Sequence, residues 1–134
     1  MRSARRFVVF LVLGFAFGGF LFYAGVVVPI GTSELGPTTQ GFVTRHVTKV
    51  MNIANLVAVL LVGIDWIVER RTRNGLQNRL LAVCACGILL LTLIQLWLHP
   101  QLESQLDPEE IAVLNPEAFY GRHRIYLWMS TFIW

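Results

Sequence analysis

The sequence predicts an all-α integral membrane protein, a single domain over residues 1–134 built as a bundle of four transmembrane helices with a cytoplasmic N-terminus. Three observations carry this. The chain is 55% hydrophobic and only 14% charged, more apolar surface than a soluble domain of this size can bury. Its apolar residues gather in runs of a length suited to a hydrocarbon layer about 30 Å thick. Of its eleven basic residues, Arg2, Arg5, Arg6, Arg70, Arg71, Arg73 and Arg79 sit in two short segments beside those runs, the pattern that orients membrane helices. The formal charge of +3 therefore speaks of topology and not of nucleic acid. The expected partner is the lipid bilayer, and the expected location is a bacterial inner membrane.

The first span is expected over residues 7–28, after the basic flank from Met1 to Arg6. Its uncharged run is long enough to cross, and Pro29 and Gly31 are expected to end it. A cleaved signal peptide is the competing reading; the run is long for one, and Phe22-Tyr23-Ala24 is a poor cleavage site. Gly36 and Pro37 mark a turn in the polar stretch that follows. The second span is expected over 43–68, with Asp65 and Trp66 at its inner border and Asp65 paired with arginine. Asn74-Gly75 turns the arginine-rich connector into a third span over 80–98, closed by His99-Pro100. Asp107-Pro108-Glu109-Glu110 has the composition of a short helix start, and Asn115-Pro116-Glu117 repeats that signal for a fourth span over 116–134. Only about ten residues after Arg124 are apolar, half of a crossing, so a truncated sequence is the favoured expectation. With the arginines inside, the acidic stretch from Glu103 to Glu110 falls outside.

Polar groups in such a frame are the functional candidates. His46, His99 and His123 are all the histidines, and the topology puts each near the outer face. Neutral imidazoles from three helices can bind copper, zinc or haem iron, but no metal-binding spacing links them, and ordinary interfacial roles for each are the favoured reading. Arg45, Lys49, Asn52 and Asn55 recur at helical spacing on one face of the second helix. With Arg122 and Arg124 of the fourth helix and Gln95 of the third, they form either an interhelical hydrogen-bonding seam or a cationic vestibule for a small ligand. Gly14 and Gly18 form a GxxxG pair, a close-packing surface expected to serve within the bundle, with contact to another subunit the alternative. Cys84 and Cys86 project about 200° apart on a helix and suit neither a shared metal nor a mutual disulfide. No nucleophile–base pair or phosphate-cradling loop is present.

Gly18-Gly19-Phe20-Leu21-Phe22 leading to Val28-Pro29, Leu98-His99-Pro100-Gln101-Leu102, and Phe119-Tyr120-Gly121-Arg122-His123-Arg124-Ile125-Tyr126 with Ser130 resemble motifs of the domain-of-unknown-function 4149 family. That family is similar to transmembrane protein 205 and, more loosely, to the copper-resistance D membrane domain. The resemblance implies a four-helix membrane bundle, with His123 and Ser130 matching the family's histidine and serine in the fourth helix. The early first-helix histidine of copper-resistance D domains has no counterpart between Arg5 and Gly18.

The functional expectation is a non-enzymatic membrane protein that handles a small ligand or metal (copper or haem) at its outer face. The alternative is an accessory subunit packed against a larger membrane complex. Either way, the protein should sediment with membranes and enter solution only with detergent; recovery from a lysate without detergent would end the membrane reading.

Overall fold

The computed structural model describes residues 2–134; Met1, the first residue of the basic flank, lies outside them. The chain runs through α1 (Arg2–Phe22), a π-helical turn (Tyr23–Val27), α2 (Val28–Leu35), α3 (Pro37–Glu69), α4 (Gly75–Glu103), a two-stranded hairpin of β1 (Leu106–Asp107) and β2 (Ala112–Val113), and α5 (Pro116–Ile133). Three helical stretches are long and apolar enough to cross a membrane, Ser3–Leu35, Pro37–Glu69 and Gly75–Glu103. The helix α5, with Arg122, His123 and Arg124 in its first half, is not among them.

The helices overrun their expected limits, and the prolines show how. Pro29 does not end the first helix. A proline ring clashes with the carbonyl four residues earlier, here that of Gly25, and the π-helical turn widens the helix over that carbonyl. The chain continues to Gly36, whose φ of 80° lies in the left-handed region. Its N–H donates to the Thr32 carbonyl (3.1 Å), and Pro37 then starts α3 where a missing N–H costs nothing. Pro100 likewise lies inside α4, which runs on to Glu103.

The acidic stretch does not form the expected short helix. Asp107 lies in β1, paired with Ala112, and its Oδ1 accepts from the backbone N–H groups of Glu109 (2.9 Å) and Glu110 (3.2 Å). A lone turn is too short to hold a helix, and the aspartate offers the backbone a tighter alternative. Ile111 takes the left-handed φ of 52° that closes the hairpin, a conformation that costs a β-branched residue about 1–2 kcal/mol.

The central element is α3, against which α1, α2 and α4 pack, while α5 lies along α4. At one end of the bundle Arg5 Nε donates to Asp65 Oδ1 (2.8 Å) and Arg5 Nη2 to Glu69 Oε1 (2.6 Å). Arg6 Nη2 reaches Glu69 Oε2 (3.0 Å) and Arg73 Nη2 reaches Asp65 Oδ2 (3.1 Å). The arginine partner expected for Asp65 is therefore supplied by both α1 and the α3–α4 connector. At the other end Tyr23 Oη donates to Thr44 Oγ1 (3.0 Å). Beside it Gln40 is buried against Gly31, where a Cβ would collide with the Gln40 amide; glycine lets α2 approach α3 closely. Arg5 and Tyr23 are separated by about 27 Å of helix, nearly the thickness of the hydrocarbon layer. Helices in lipid gain little from apolar contact with one another, so these two clamps set how α1 lies on α3.

Asp65→Ala removes two charge-assisted hydrogen bonds from a buried position and is expected to destabilise the bundle by about 2 kcal/mol. Reversible unfolding in mixed micelles measures this; a loss below about 0.5 kcal/mol, the size of an ordinary surface change, would show that the clamp does not hold α1.

Candidate functional site

Midway along α3 the polar stripe divides by depth. Asn52 and Asn55 are buried, Arg45 is half-buried and Lys49 is exposed. Asn52 and Tyr126 of α5 bond reciprocally: Asn52 Nδ2 donates to the phenol oxygen (2.6 Å), and Tyr126 Oη donates to Asn52 Oδ1 (2.9 Å). Asn55 Nδ2 donates to Thr92 Oγ1 of α4 (2.6 Å), and Thr92 passes its own proton to the Ile88 carbonyl (2.7 Å). Gln95 Nε2 of α4 donates to Ser130 Oγ (2.7 Å) and to the Tyr126 carbonyl (3.3 Å) on α5. Three helices are thus sewn together by amides and hydroxyls, with Leu98, Leu102 and Met129 packed alongside Tyr126.

This is the interhelical seam and not the cationic vestibule. Arg122 and Arg124 are exposed and take no part in it. Arg45 lies over the Phe42 ring, 5.3 Å from its centroid, and Lys49 faces out. Gln95 was correctly placed on the inner face, but its partner is α5 and not the asparagines. Thr92 is not among the residues that the sequence singles out, and Tyr126 and Ser130 stand out there only through the family resemblance. A signal exists for them: Thr92, Gln95 and His99 recur at three and four residues on α4, and Tyr126 and Ser130 stand four apart on α5, placing each set on one helix face.

The three histidines are held in separate settings. His99 is buried, its Nε2–H donating to the backbone carbonyl of Arg45 (3.1 Å), with Nδ1 3.7 Å from Glu103. His123 stacks on Phe119, centroids 5.5 Å apart and planes within 9°. His46 is exposed, and its Nε2 accepts from Arg45 Nε (3.3 Å). Among the described residues no group of three His, Cys, Asp or Glu side chains is disposed to hold a metal ion. The expected three-histidine centre at the outer face is therefore not assembled. The reason is helix rotation: His99 turns into the bundle to satisfy a carbonyl, His46 turns away from it, and His123 lies against its own helix's phenylalanine.

The GxxxG pair is also not used within the bundle. A Cβ added at Gly14 or Gly18 would meet nothing within 4 Å, so the expected intramolecular packing is not made.

A cleft of about 520 Å³ opens between α1, α3 and α4. Phe10 and Gly14 wall one side, Ala58 and Val62 the back, and Cys84 and Ala85 the other side. Trp134 roofs it, stacked on Phe17 (6.4 Å) and Phe20 (5.2 Å) of α1. The lining is apolar apart from Asn55, whose amide N–H is already bonded to Thr92. A volume of this size suits a small apolar group. Cys84 and Cys86 are both free thiols, and only Cys84 lines the cleft, as their angular separation on α4 requires. No protein-family model, curated protein or solved structure matches the chain.

Tyr126→Phe leaves the buried Asn52 amide without its partner and is expected to cost about 1–2 kcal/mol. Asn52→Leu combined with Tyr126→Phe should cost less than the sum of the two single changes. Additive losses in that cycle, measured by unfolding in micelles, would deny the pair any coupling.

Proposed function

We propose that this chain is a non-enzymatic integral membrane protein of a bacterial inner membrane, with α5 as the fourth crossing helix and the N-terminus cytoplasmic. Its working surface is the membrane-embedded cleft, which accepts an apolar group from the lipid phase. The observation that supports this is a cleft of about 520 Å³ with an apolar lining in a bundle whose interior amides and hydroxyls bond to one another. An apolar occupant leaves that seam intact, whereas a polar one would have to break it. The position of the arginines supports the orientation: Arg5, Arg6 and Arg73 gather at the end where α1 starts and α3 finishes.

A second reading, the accessory subunit, is favoured by the vacant space over Gly14 and Gly18, a surface on which another membrane helix can approach closely. The two readings separate on purification in mild detergent. The cleft reading predicts that the protein retains an acyl-chain molecule, detected by mass spectrometry of the intact assembly, and that Ala85→Phe, which fills the cleft, lowers its occupancy at least about tenfold, a loss of about 1.4 kcal/mol. Equal occupancy in wild type and Ala85→Phe would discard the cleft. A stoichiometric polypeptide partner lost on Gly18→Leu would favour the subunit reading instead.

A further inference from the structure

A second, smaller pocket of about 160 Å³ is lined by Arg6, Val9, Phe10, Asp65 and Arg73. Phe10 also lines the large cleft, so the two spaces adjoin across one ring. Their alignment follows from helix periodicity. Arg6, Phe10, Leu13 and Phe17 recur at four, three and four residues on α1, and Ala58, Val62 and Asp65 at four and three on α3, so each set shares one face. That face is charged at the end of the bundle and apolar deeper in.

The charge there does not cancel. Among the described residues, the guanidiniums of Arg5, Arg6 and Arg73 meet two carboxylates, those of Asp65 and Glu69. Arg5 engages both acids, through Nε and Nη2. Arg6 and Arg73 are each bonded to a carboxylate through Nη2. A guanidinium has five N–H donors in a planar fork, so both pocket arginines keep donors for a further anion. Arg70, Arg71 and Arg79 are exposed on the same connector and its following helix, and they extend the positive field.

We propose that the pocket and the cleft together form a site for one anionic phospholipid. Its phosphate lies at Arg6 and Arg73, and one acyl chain passes Phe10 into the cleft beneath Trp134. The match is between two adjoining spaces and the two parts of the molecule: an excess positive charge with forked donors suits a phosphate, and an apolar slot suits a hydrocarbon chain. A transmembrane helix would fill the cleft but leave the charge excess unanswered, whereas inorganic phosphate would answer the charge and leave the cleft empty.

The inference rests on the cleft reading proposed above, and the test separates the two. The full chain, delipidated in detergent, is titrated with phosphatidylglycerol and with phosphatidylcholine of the same acyl chains, and bound lipid is counted by mass spectrometry of the intact assembly. One phosphatidylglycerol per chain is expected to bind in preference to phosphatidylcholine. Arg6→Gln and Arg73→Gln should each reduce that preference by about fivefold. Arg73→Gln also loosens an ion pair to Asp65, so Arg6→Gln, on the more exposed of the two side chains, decides the matter if the former unfolds. Ala85→Phe should weaken both lipids together.

Equal binding of the two lipids, or a preference unchanged in Arg6→Gln, overturns the headgroup site while leaving the cleft standing. Failure of both lipids to bind, with Ala85→Phe indistinguishable from wild type, overturns the cleft itself. Displacement of the lipid by millimolar inorganic phosphate, or its replacement by a stoichiometric polypeptide, overturns the proposed occupant.

Discussion

Inside a bilayer, helices gain nothing by hiding apolar surface from water, so this chain must fasten its helices with groups that lipid will not accept. Every tertiary relation of consequence follows from that constraint. Individual interhelical hydrogen bonds in membranes contribute only about 0.6 kcal/mol on average and rarely more than about 1.7. The seam therefore works by number and placement: Asn52 with Tyr126, Asn55 with Thr92, and Gln95 with Ser130. Because all of these but the half-buried Ser130 are buried, the alternative to pairing is an unsatisfied amide or hydroxyl in a medium that cannot solvate it. That penalty, more than the bonds themselves, selects one rotation for each helix.

The same logic leaves the cleft where it is. The seam fastens α4 to α5 and both to α3, whereas α1 is held to α3 by an ionic clamp at one end and a tyrosine–threonine bond at the other. Between those clamps nothing polar joins α1 to α4 among the described residues, and the opening between them is lined, Asn55 apart, with apolar side chains. A bundle fastened at defined points and left unfilled between them is suited to admit an occupant without rearranging. Interior satisfaction and lateral vacancy are therefore two results of one arrangement.

Much of this was legible in the chain. Three apolar spans, the turn at Gly36, the helix start at Asn115-Pro116 and the ionic partner of Asp65 all follow from hydropathy, charge and local chemistry. At Asn115 the cap accepts from Ala118 N–H (3.2 Å), and Asn74, expected only as a turn, also caps α4 by accepting from Gln77 N–H (2.8 Å). What was not legible depends on rotation between helices. Three histidines near one membrane face can converge or diverge with a turn of each helix, and a single sequence does not specify which. Two prolines were misjudged for a different reason: a helix boundary at Pro29 or Pro100 assumes that the backbone cannot adapt, and at Pro29 a π-helical turn supplies the adaptation. The stretch after α4 was misjudged because Asp107 serves a hairpin as readily as a helix cap.

That hairpin places Asp107, Glu109 and Glu110 at the end of the bundle opposite Arg5, Arg6 and Arg73. Acidic and basic charges are consequently separated along the length of the bundle. Where the arginine end faces the electrically negative compartment, carrying either set of charges to the wrong side works against the transmembrane voltage, at about 2.3 kcal/mol per elementary charge for each 100 mV. In that orientation an energised membrane would hold the inserted protein, and the four-residue bend of a hairpin would contribute to that hold.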